Sequence, residues 1–207
     1  MEEQIISAGG FVLVGGASRR MGQDKALLPL NGRPLLHRTI RLLRPSVAEV
    51  ALIGPTARYA GFGVPVIEDA VPRRGPLSAL CAGLKRTAHP WNLFLACDLP
   101  LLEEGFLRFL VQEAFASSAQ AVVPRTSDGW QPLCAAYRRE CLPEMERLLS
   151  ERDAGIVEAL EMLQVEALTP ERIRQAGFSE RIFRNINTPA DWEEIRSAWR
   201  GGCNEAP

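Results

Sequence analysis

Residues 11–29 read FVLVGGASRRMGQDKALLP, and they decide how the rest of the chain is interpreted. The apolar start is followed by the pair Gly15 and Gly16, a pattern typical of a buried strand that turns sharply at its carboxyl end. Because glycine lacks a Cβ atom, backbone N–H groups in this turn can approach a ligand closely. The cations that follow are Arg19, Arg20 and Lys25. The stretch predicts a nest for polyphosphate, although a glycine-rich turn beside solvated arginines would have the same composition.

Two better-known phosphate loops do not fit this stretch. The ATPase loop, G-x-x-x-x-G-K-[ST], is excluded because five residues separate Gly16 from Gly22 and because Lys25 precedes Ala26. The dinucleotide fingerprint G-x-G-x-x-G is absent as well. The loop therefore belongs to another kind of nucleotide site.

The stretch resembles the signature L-x-G-G-x-S-x-R-M-G-x-D-K of nucleotidyltransferases that activate small phosphorylated molecules. Within that superfamily it is most similar to the molybdenum cofactor guanylyltransferases. The matching residues are Leu13, Gly15, Gly16, Ser18, Arg20, Met21, Gly22, Asp24 and Lys25. The resemblance implies nucleotide binding by Leu13, Val14, Gly15, Gly16 and Lys25. It also implies that Arg20 and Lys25 act in catalysis by neutralising the departing pyrophosphate.

Composition and charge fit a globular domain without a polyanionic partner. The 207 residues can bury a large core, and the net charge of -1 lacks the basic excess of nucleic-acid-binding proteins. Apolar runs stay short of the roughly 18 residues of a membrane span, and the acidic start is unlike a secretory signal. Five cysteines without a C-x-x-C pair favour reduced thiols. We expect a cytoplasmic protein with neither a nucleic-acid nor a membrane partner.

Apolar periodicity predicts alternating strands and helices. Strands are predicted at residues 11–14, 50–53, 64–67, 92–97, 121–124, 132–137 and 165–168. Helices are predicted at residues 34–43, 76–87, 103–115, 140–150, 154–163 and 189–199. This alternation is typical of an α/β protein with a mostly parallel, doubly wound, Rossmann-like sheet of the nucleotidyltransferase type in a single three-layer domain. We assign residues 1–200 to that domain and residues 201–207 to a frayed tail.

Asp98 is the strongest candidate for a metal ligand. It ends the apolar run 93–97, so its carboxylate is expected at the carboxyl end of a strand, where such sheets bind ligands. Paired phosphates are usually bridged by Mg2+ held by protein carboxylates. The C-D-x-P motif of the resembling family binds that metal, which implies Mg2+ and a catalytic role at Asp98. From the residues alone, Asp98 also suits an N-cap of the next helix.

The resemblance implies further nucleotide contacts after the third predicted strand. They are Asp69, which the family places near the nucleotide and the metal, and Gly75 and Pro76 of a G-P-L loop, where a helix begins. An Asx turn before Val71-Pro72 explains Asp69 equally well.

Acceptor binding is implied for three other residues, which are Gln131, Asn185 and Asn187. Asn185 and Asn187 are two apart and match the family's N-x-N-T-P, and on a strand both side chains would point the same way. Asn187 is alternatively a cap for the last helix.

The resemblance implies transfer of GMP from GTP to the phosphate of molybdopterin, with release of pyrophosphate and formation of the guanine dinucleotide cofactor. No protein nucleophile is needed, since positioning and electrostatics supply most of phosphoryl-transfer catalysis. The expected partners are GTP, molybdopterin or the molybdenum cofactor, other proteins of cofactor biosynthesis, and the enzymes that receive the product.

Other functions remain compatible with these residues. A molybdopterin cytidylyltransferase is one, because Val14 stands where alanine is common in both groups. A sugar-phosphate nucleotidyltransferase shares the loop but generally has a longer chain. A nucleotide-binding regulatory module would be expected to have lost Lys25 or Asp98, and both are present.

Overall fold

The structure is a computed structural model that describes residues 7–15, 21–68, 75–151 and 154–202. Its strands are β1 (Ala8–Leu13), β2 (Pro29–Leu30), β3 (Arg33–Pro34), β4 (Glu49–Ile53), β5 (Val66–Ile67), β6 (Trp91–Ala96), β7 (Ala121–Thr126), β8 (Gly129–Trp130), β9 (Cys134–Arg138) and β10 (Val165–Leu168). Its α-helices are α1 (Leu35–Leu43), α2 (Thr56–Tyr59), α3 (Gly75–Arg86), α4 (Glu104–Ala116), α5 (Leu142–Glu151), α6 (Ile156–Leu160), α7 (Pro170–Gln175) and α8 (Pro189–Gly202). Each strand and helix predicted from the sequence has a counterpart among them.

The main sheet has the strand order β10-β7-β9-β6-β1-β4-β5, with β8 paired to β7. β1 is parallel to β4 and to β6, and β4 is parallel to β5. β9 is antiparallel to both of its neighbours, β6 and β7, because the hairpin through β8 is too short for a parallel crossover. The predicted mostly parallel sheet is therefore confirmed, and the carboxyl ends of β1, β4, β5 and β6 meet at one edge.

Helices cover both faces of this sheet and give the predicted three layers. Side chains alternate along each strand, so Val12 of β1 packs in one core while Phe11 packs in the other. The first core holds buried residues of α1 and α4, and the second holds buried residues of α3, α5 and α6. Across β1 and β6 the rings of Phe11 and Phe94 stack with centroids 4.9 Å apart.

A third, smaller core lies under the segment that follows the first loop. Trp192 and Ile195 of α8 pack there with Met21, Leu28 and other buried apolar residues. The last helix is thereby attached to the same part of the molecule as Asp24 and Lys25.

The structure departs from the sequence expectations at several elements. The short helices α2 and α7 were not predicted, because a single turn carries too little periodicity to be recognised. Residues 185–187 do not form the strand that was considered for them; they extend from a 3-10 turn at Glu180–Phe183. α8 continues to Gly202, past the expected start of the tail at residue 201. In the described part of the chain, no helix combines the length and apolarity needed to cross a bilayer.

Candidate active site

The first loop begins at the carboxyl end of β1. Val14 continues the strand direction by donating its N–H to the Ile53 carbonyl at 3.0 Å. Gly15 then has a φ of +86°, and a Cβ atom there would lie 2.7 Å from Cδ of Pro55. Only glycine fits this bend without displacing its neighbour. Gly16 and Arg20, predicted to bind and neutralise phosphates, lie outside the described residues.

The chain returns to the site at Asp24, which fixes the turn at Lys25–Leu27. Asp24 Oδ1 accepts the N–H of Ala26 at 3.1 Å, as an N-cap does. Its Oδ2 accepts the Tyr59 hydroxyl at 2.6 Å and Arg58 Nη1 at 3.2 Å. Both carboxylate oxygens are therefore engaged, and the turn that carries Lys25 starts from a fixed point.

Lys25 joins three distant parts of the sequence. Its Nζ donates to Asp98 Oδ2 at 2.8 Å and to Asn187 Oδ1 at 3.0 Å. The side chains of Lys25 and Asp98 remain 16% and 19% exposed, so the pair is shielded yet reachable by a ligand. The structure thus brings together three residues that the sequence singled out separately.

Asp98 lies just beyond the end of β6, as predicted. α4 begins at Glu104 with Glu103 as its N-cap, so the alternative role of Asp98 as cap of that helix is wrong. A turn between Asp98 and α4 separates the two. The Asp98 carbonyl accepts the N–H of Ile186 at 3.1 Å, which holds the asparagine segment against the end of β6.

Asn185 and Asn187 lie on the same, exposed side of their segment, although this segment is not a strand. Ile186 between them is fully buried, while Asn185 and Asn187 are exposed, as expected of an extended segment. The alternative role of Asn187 as side-chain cap of α8 is also wrong, because Thr188 Oγ1 accepts the Asp191 N–H at 3.1 Å instead. The Asn187 amide is left to contact Lys25.

A cavity of about 250 Å³ opens beside Asp98. Its lining residues are Ala96, Asp98, Leu99, Trp130, Gln131, Pro132, Leu133, Ile156 and Asn185. Gln131 is held by its Nε2, which donates to Thr126 Oγ1 at 3.1 Å. The predicted acceptor residues Gln131 and Asn185 therefore line one cavity with Asp98, and Asn187 lies next to it on Lys25.

Sequence reasoning missed two features of this region. Trp130 was given no role in the sequence analysis, yet it lines the cavity, and the Arg125 guanidinium lies 5.2 Å from its ring centroid. Its position next to Gln131 was the available signal. Tyr59 and Arg58 were missed because α2 itself was not predicted, and no sequence spacing connects them to Asp24.

The remaining predicted nucleotide residues lie at or beyond the described edge. Gly75 and Pro76 are exposed in the first turn of α3, which confirms that the G-P-L segment opens a helix. Asp69 lies outside the described residues. Leu13 is half-buried at the end of β1, with Val14 buried next to it.

Burial keeps the Cys97 thiol and the Tyr59 phenol, which lie under the site, protonated. Burial, with a further contribution from the negative charges of Asp98 and Asp24, raises the pKa of the Cys97 thiol to about 12. Burial and then the hydrogen bond to Asp24 raise the pKa of the Tyr59 phenol above its usual value. Neither group is an anionic nucleophile near neutral pH, which suits a reaction that depends on positioning and charge.

A bend at Gly15 after β1, a lysine paired with a carboxylate beyond the end of β6 and an adjoining cavity are the features expected of a nucleotidyltransferase. The sequence model of the MobA-like NTP transferase domain family matches residues 10–167 of the chain. The chain therefore belongs to that family.

Curated relatives and a solved structure agree with this assignment. The chain is 33% identical over 184 residues, covering 89% of it and 92% of the relative, to a protein of Carboxydothermus hydrogenoformans named "probable molybdenum cofactor guanylyltransferase". It is 37% identical to a protein of the same name from Synechococcus elongatus, over 90% of this chain and 96% of that one. The crystal structure of molybdopterin-guanine dinucleotide biosynthesis protein A from Archaeoglobus fulgidus superposes with a TM-score of 0.82 at 25% identity, covering 94% of this chain and 100% of that one.

Proposed function

We propose that this protein transfers GMP from GTP to the terminal phosphate of molybdopterin, releasing pyrophosphate and forming the guanine dinucleotide cofactor. One observation carries the proposal: in a member of this family, Lys25 Nζ bridges Asp98 Oδ2 and Asn187 Oδ1 beside an open cavity. The names of the relatives supply the donor and the acceptor. The residues supply a charged site between two binding regions.

On the nucleotide side, the loop that begins at Gly15 would hold the triphosphate. The bend at Gly15 lies at the carboxyl edge of the sheet, and backbone N–H groups exposed at such an edge favour anions. Lys25, with Arg20, would neutralise charge that moves onto the departing pyrophosphate. Leu13, Val14, Gly16, Asp69, Gly75 and Pro76 are proposed to complete this nucleotide region.

On the acceptor side, the cavity of about 250 Å³ would orient molybdopterin. Gln131 and Asn185 supply amide groups along its lining, while Trp130 and Ile156 supply apolar surface. Asp98 belongs both to this lining and to the Lys25 contact, so it marks the junction where the acceptor phosphate would meet the α-phosphate. Holding the two reactants in line replaces a bimolecular encounter, which is a large part of such catalysis.

Mg2+ fits the donor set at this junction. In the described ranges, no three or more His, Cys, Asp or Glu residues are grouped to hold a metal. A single carboxylate, Asp98, with amide oxygens nearby suits Mg2+, which commonly takes most of its ligands from substrate phosphates and water. When bound, Mg2+ would polarise the α-phosphate and offset its charge.

The cysteines suit a protein that acts in a reducing compartment. Cys81, Cys97, Cys134 and Cys141 are buried, and no disulfide joins the cysteines in the described part of the chain, the state expected in the cytoplasm, where we propose the enzyme acts. Other proteins of cofactor biosynthesis and the enzymes that receive the product remain proposed partners.

The decisive experiment measures pyrophosphate release from GTP and Mg2+ with and without molybdopterin. We expect release that depends on the acceptor. Calorimetric titration with GTP, CTP, ATP and UTP then tests the base: CTP binding tenfold tighter than GTP, about 1.4 kcal/mol, would establish the cytidylyl alternative. Nucleotide binding without release in the presence of authentic acceptor would favour a regulatory module.

The metal role of Asp98 has its own test. We expect Asp98→Asn to lower turnover sharply and to remove the Mg2+ dependence of the turnover that remains, because the neutral amide is a weaker ligand and no longer forms an ion pair with Lys25. Glu140→Gln removes an exposed carboxylate from a 3-10 turn and is the control for loss of charge. Wild-type Mg2+ dependence in Asp98→Asn would refute the assignment.

A further inference from the structure

Tyr59 is bonded to the carboxylate that fixes the Lys25 turn. It is the last residue of α2 and is fully buried. Its hydroxyl donates to Asp24 Oδ2 at 2.6 Å, while Asp24 Oδ1 accepts the N–H of Ala26 at 3.1 Å. One carboxylate therefore connects the buried phenol to the first turn that carries Lys25.

The Tyr59 ring also lies close to Gly15, where the predicted phosphate loop begins. A Cβ atom at Gly15 would lie 3.6 Å from Tyr59 Cε2 and 2.7 Å from Pro55 Cδ. α2 is in turn tied to the segment after β5, since the N–H of Thr56 donates to Glu68 Oε1 at 3.3 Å. Tyr59 thus lies beside Gly15, where the loop leaves β1, and contacts Asp24, where the chain returns.

Arg58 is a weaker support than Tyr59 for the same carboxylate. Its Nη1 lies 3.2 Å from Asp24 Oδ2, but its side chain is 55% exposed, so water screens the pair. The Tyr59 bond is shorter and shielded by burial. Because burial and Asp24 raise the pKa of the phenol, it remains a hydrogen-bond donor across the neutral range.

We propose that Tyr59 is a positioning residue that acts through Asp24 to hold the Lys25 ammonium between Asp98 and Asn187. Its catalytic consequence rests on the proposed function, whereas its effect on Lys25 does not. Without the hydroxyl, Asp24 keeps the exposed Arg58 contact and its cap to Ala26, so the turn persists but is held less firmly. Lys25 would then sample positions away from Asp98.

The chain offers a direct readout, since Lys25 and Lys85 are its only lysines. In protein labelled with 15N and 13C at lysine, the side-chain NMR spectrum contains one signal from each, assigned with Lys85→Arg. Lys85 pairs with Glu146 at an exposed site and serves as internal reference. We expect Tyr59→Phe to shift the Lys25 signal and increase its mobility, with the Lys85 signal unchanged.

Tyr137→Phe is the matched control. Tyr137 is also fully buried, and its hydroxyl donates to the Pro132 carbonyl at 2.8 Å. Each substitution removes one buried hydrogen bond, so the two variants should lose a similar, small part of the stability of the fold. Only Tyr59→Phe should alter the Lys25 signal. A Lys25 signal in Tyr59→Phe that matches wild type would overturn the proposal, whether or not the protein turns over GTP.

Steady-state kinetics of Tyr59→Phe are the second test of the proposal. We expect Tyr59→Phe to lower kcat by about 10-fold to 100-fold with a smaller change in KM for GTP, the size expected for a misplaced catalytic group. An unchanged kcat would also overturn the proposal. If wild-type protein shows no acceptor-dependent release while Tyr59→Phe still frees Lys25, the proposed function fails and the positioning role stands.

Discussion

At the scale of single residues, the contacts of Lys25 explain why a lysine stands at this position in a chain whose other basic residues are nearly all arginine. Of 24 basic residues only Lys25 and Lys85 are lysines. An ammonium is a compact charge whose donors rotate independently, unlike the flat fork of a guanidinium. Among the described residues, Asp98 and Asn187 each take one of its donors, which leaves another for a phosphate oxygen.

Replacement of Lys25 by alanine tests this role. We expect Lys25→Ala to lower kcat by roughly 10²–10³, as loss of a preorganised charge contact does in other enzymes. The fold should persist, because the side chain lies at the rim of the site and not in an apolar core. Pyrophosphate release and urea unfolding measure the two effects.

Lys85→Ala is the control for that substitution. Lys85 lies near the end of α3 and pairs with Glu146 on an exposed surface, where ion pairs contribute little to stability. Its turnover should equal that of wild type. Comparable turnover in Lys25→Ala and Lys85→Ala would remove Lys25 from the catalytic site.

At the scale of elements, two helical glycines differ in what surrounds them. Gly83 of α3 faces the sheet, and a Cβ atom there would lie 2.8 Å from Phe94 Cε1 and 3.0 Å from Ile53 Cδ1. Gly105 of α4 is exposed, and its added Cβ would lie 3.4 Å from Phe178 Cε1, an ordinary contact. Helical propensity favours alanine at both positions, so packing decides the sign of the effect.

We therefore expect opposite results from the two substitutions in urea unfolding. Gly83→Ala should lower the free energy of unfolding by about 1–3 kcal/mol, because the Phe94 ring is fully buried and cannot move aside freely. Gly105→Ala should raise it by up to about 1 kcal/mol. A stabilising Gly83→Ala would mean that α3 can lift from the sheet without loss.

At the scale of the whole molecule, the sheet and the edge where its site lies could be predicted from the sequence. The direction of single strands and the conformation of short connecting segments could not. The carboxyl ends of parallel strands lie at one edge of the sheet, and ligands bind there. Contacts among Lys25, Asp98 and Asn187 at that edge could therefore be anticipated. The reversal of β9 and the loop position of Asn185 depend on connection length and tertiary contacts, which periodicity does not report. Tyr59 acts through a tertiary contact to Asp24 across 35 positions, a distance no local pattern spans.

The buried thiols predict how stability of the whole fold depends on pH. Burial raises the pKa of Cys97 and of Cys141 to about 12, and it raises the pKa of Cys134 as well. In the unfolded chain these thiols titrate near pH 8.5, as in peptides, to within about half a unit. Above that pH the unfolded state binds fewer protons than the folded state, so rising pH stabilises the unfolded state.

The free energy of unfolding should therefore be independent of these thiols below about pH 8 and fall as pH rises from there toward the folded pKa values. The expected slope is about 1.4 kcal/mol per pH unit for each such thiol. Urea unfolding at a series of pH values measures it. Cys134→Ala removes one fully buried thiol, so its curve should start lower, because of the cavity, but decline less steeply. Parallel curves for wild type and Cys134→Ala would show that the Cys134 thiol ionises alike in both states, against the effect of its burial.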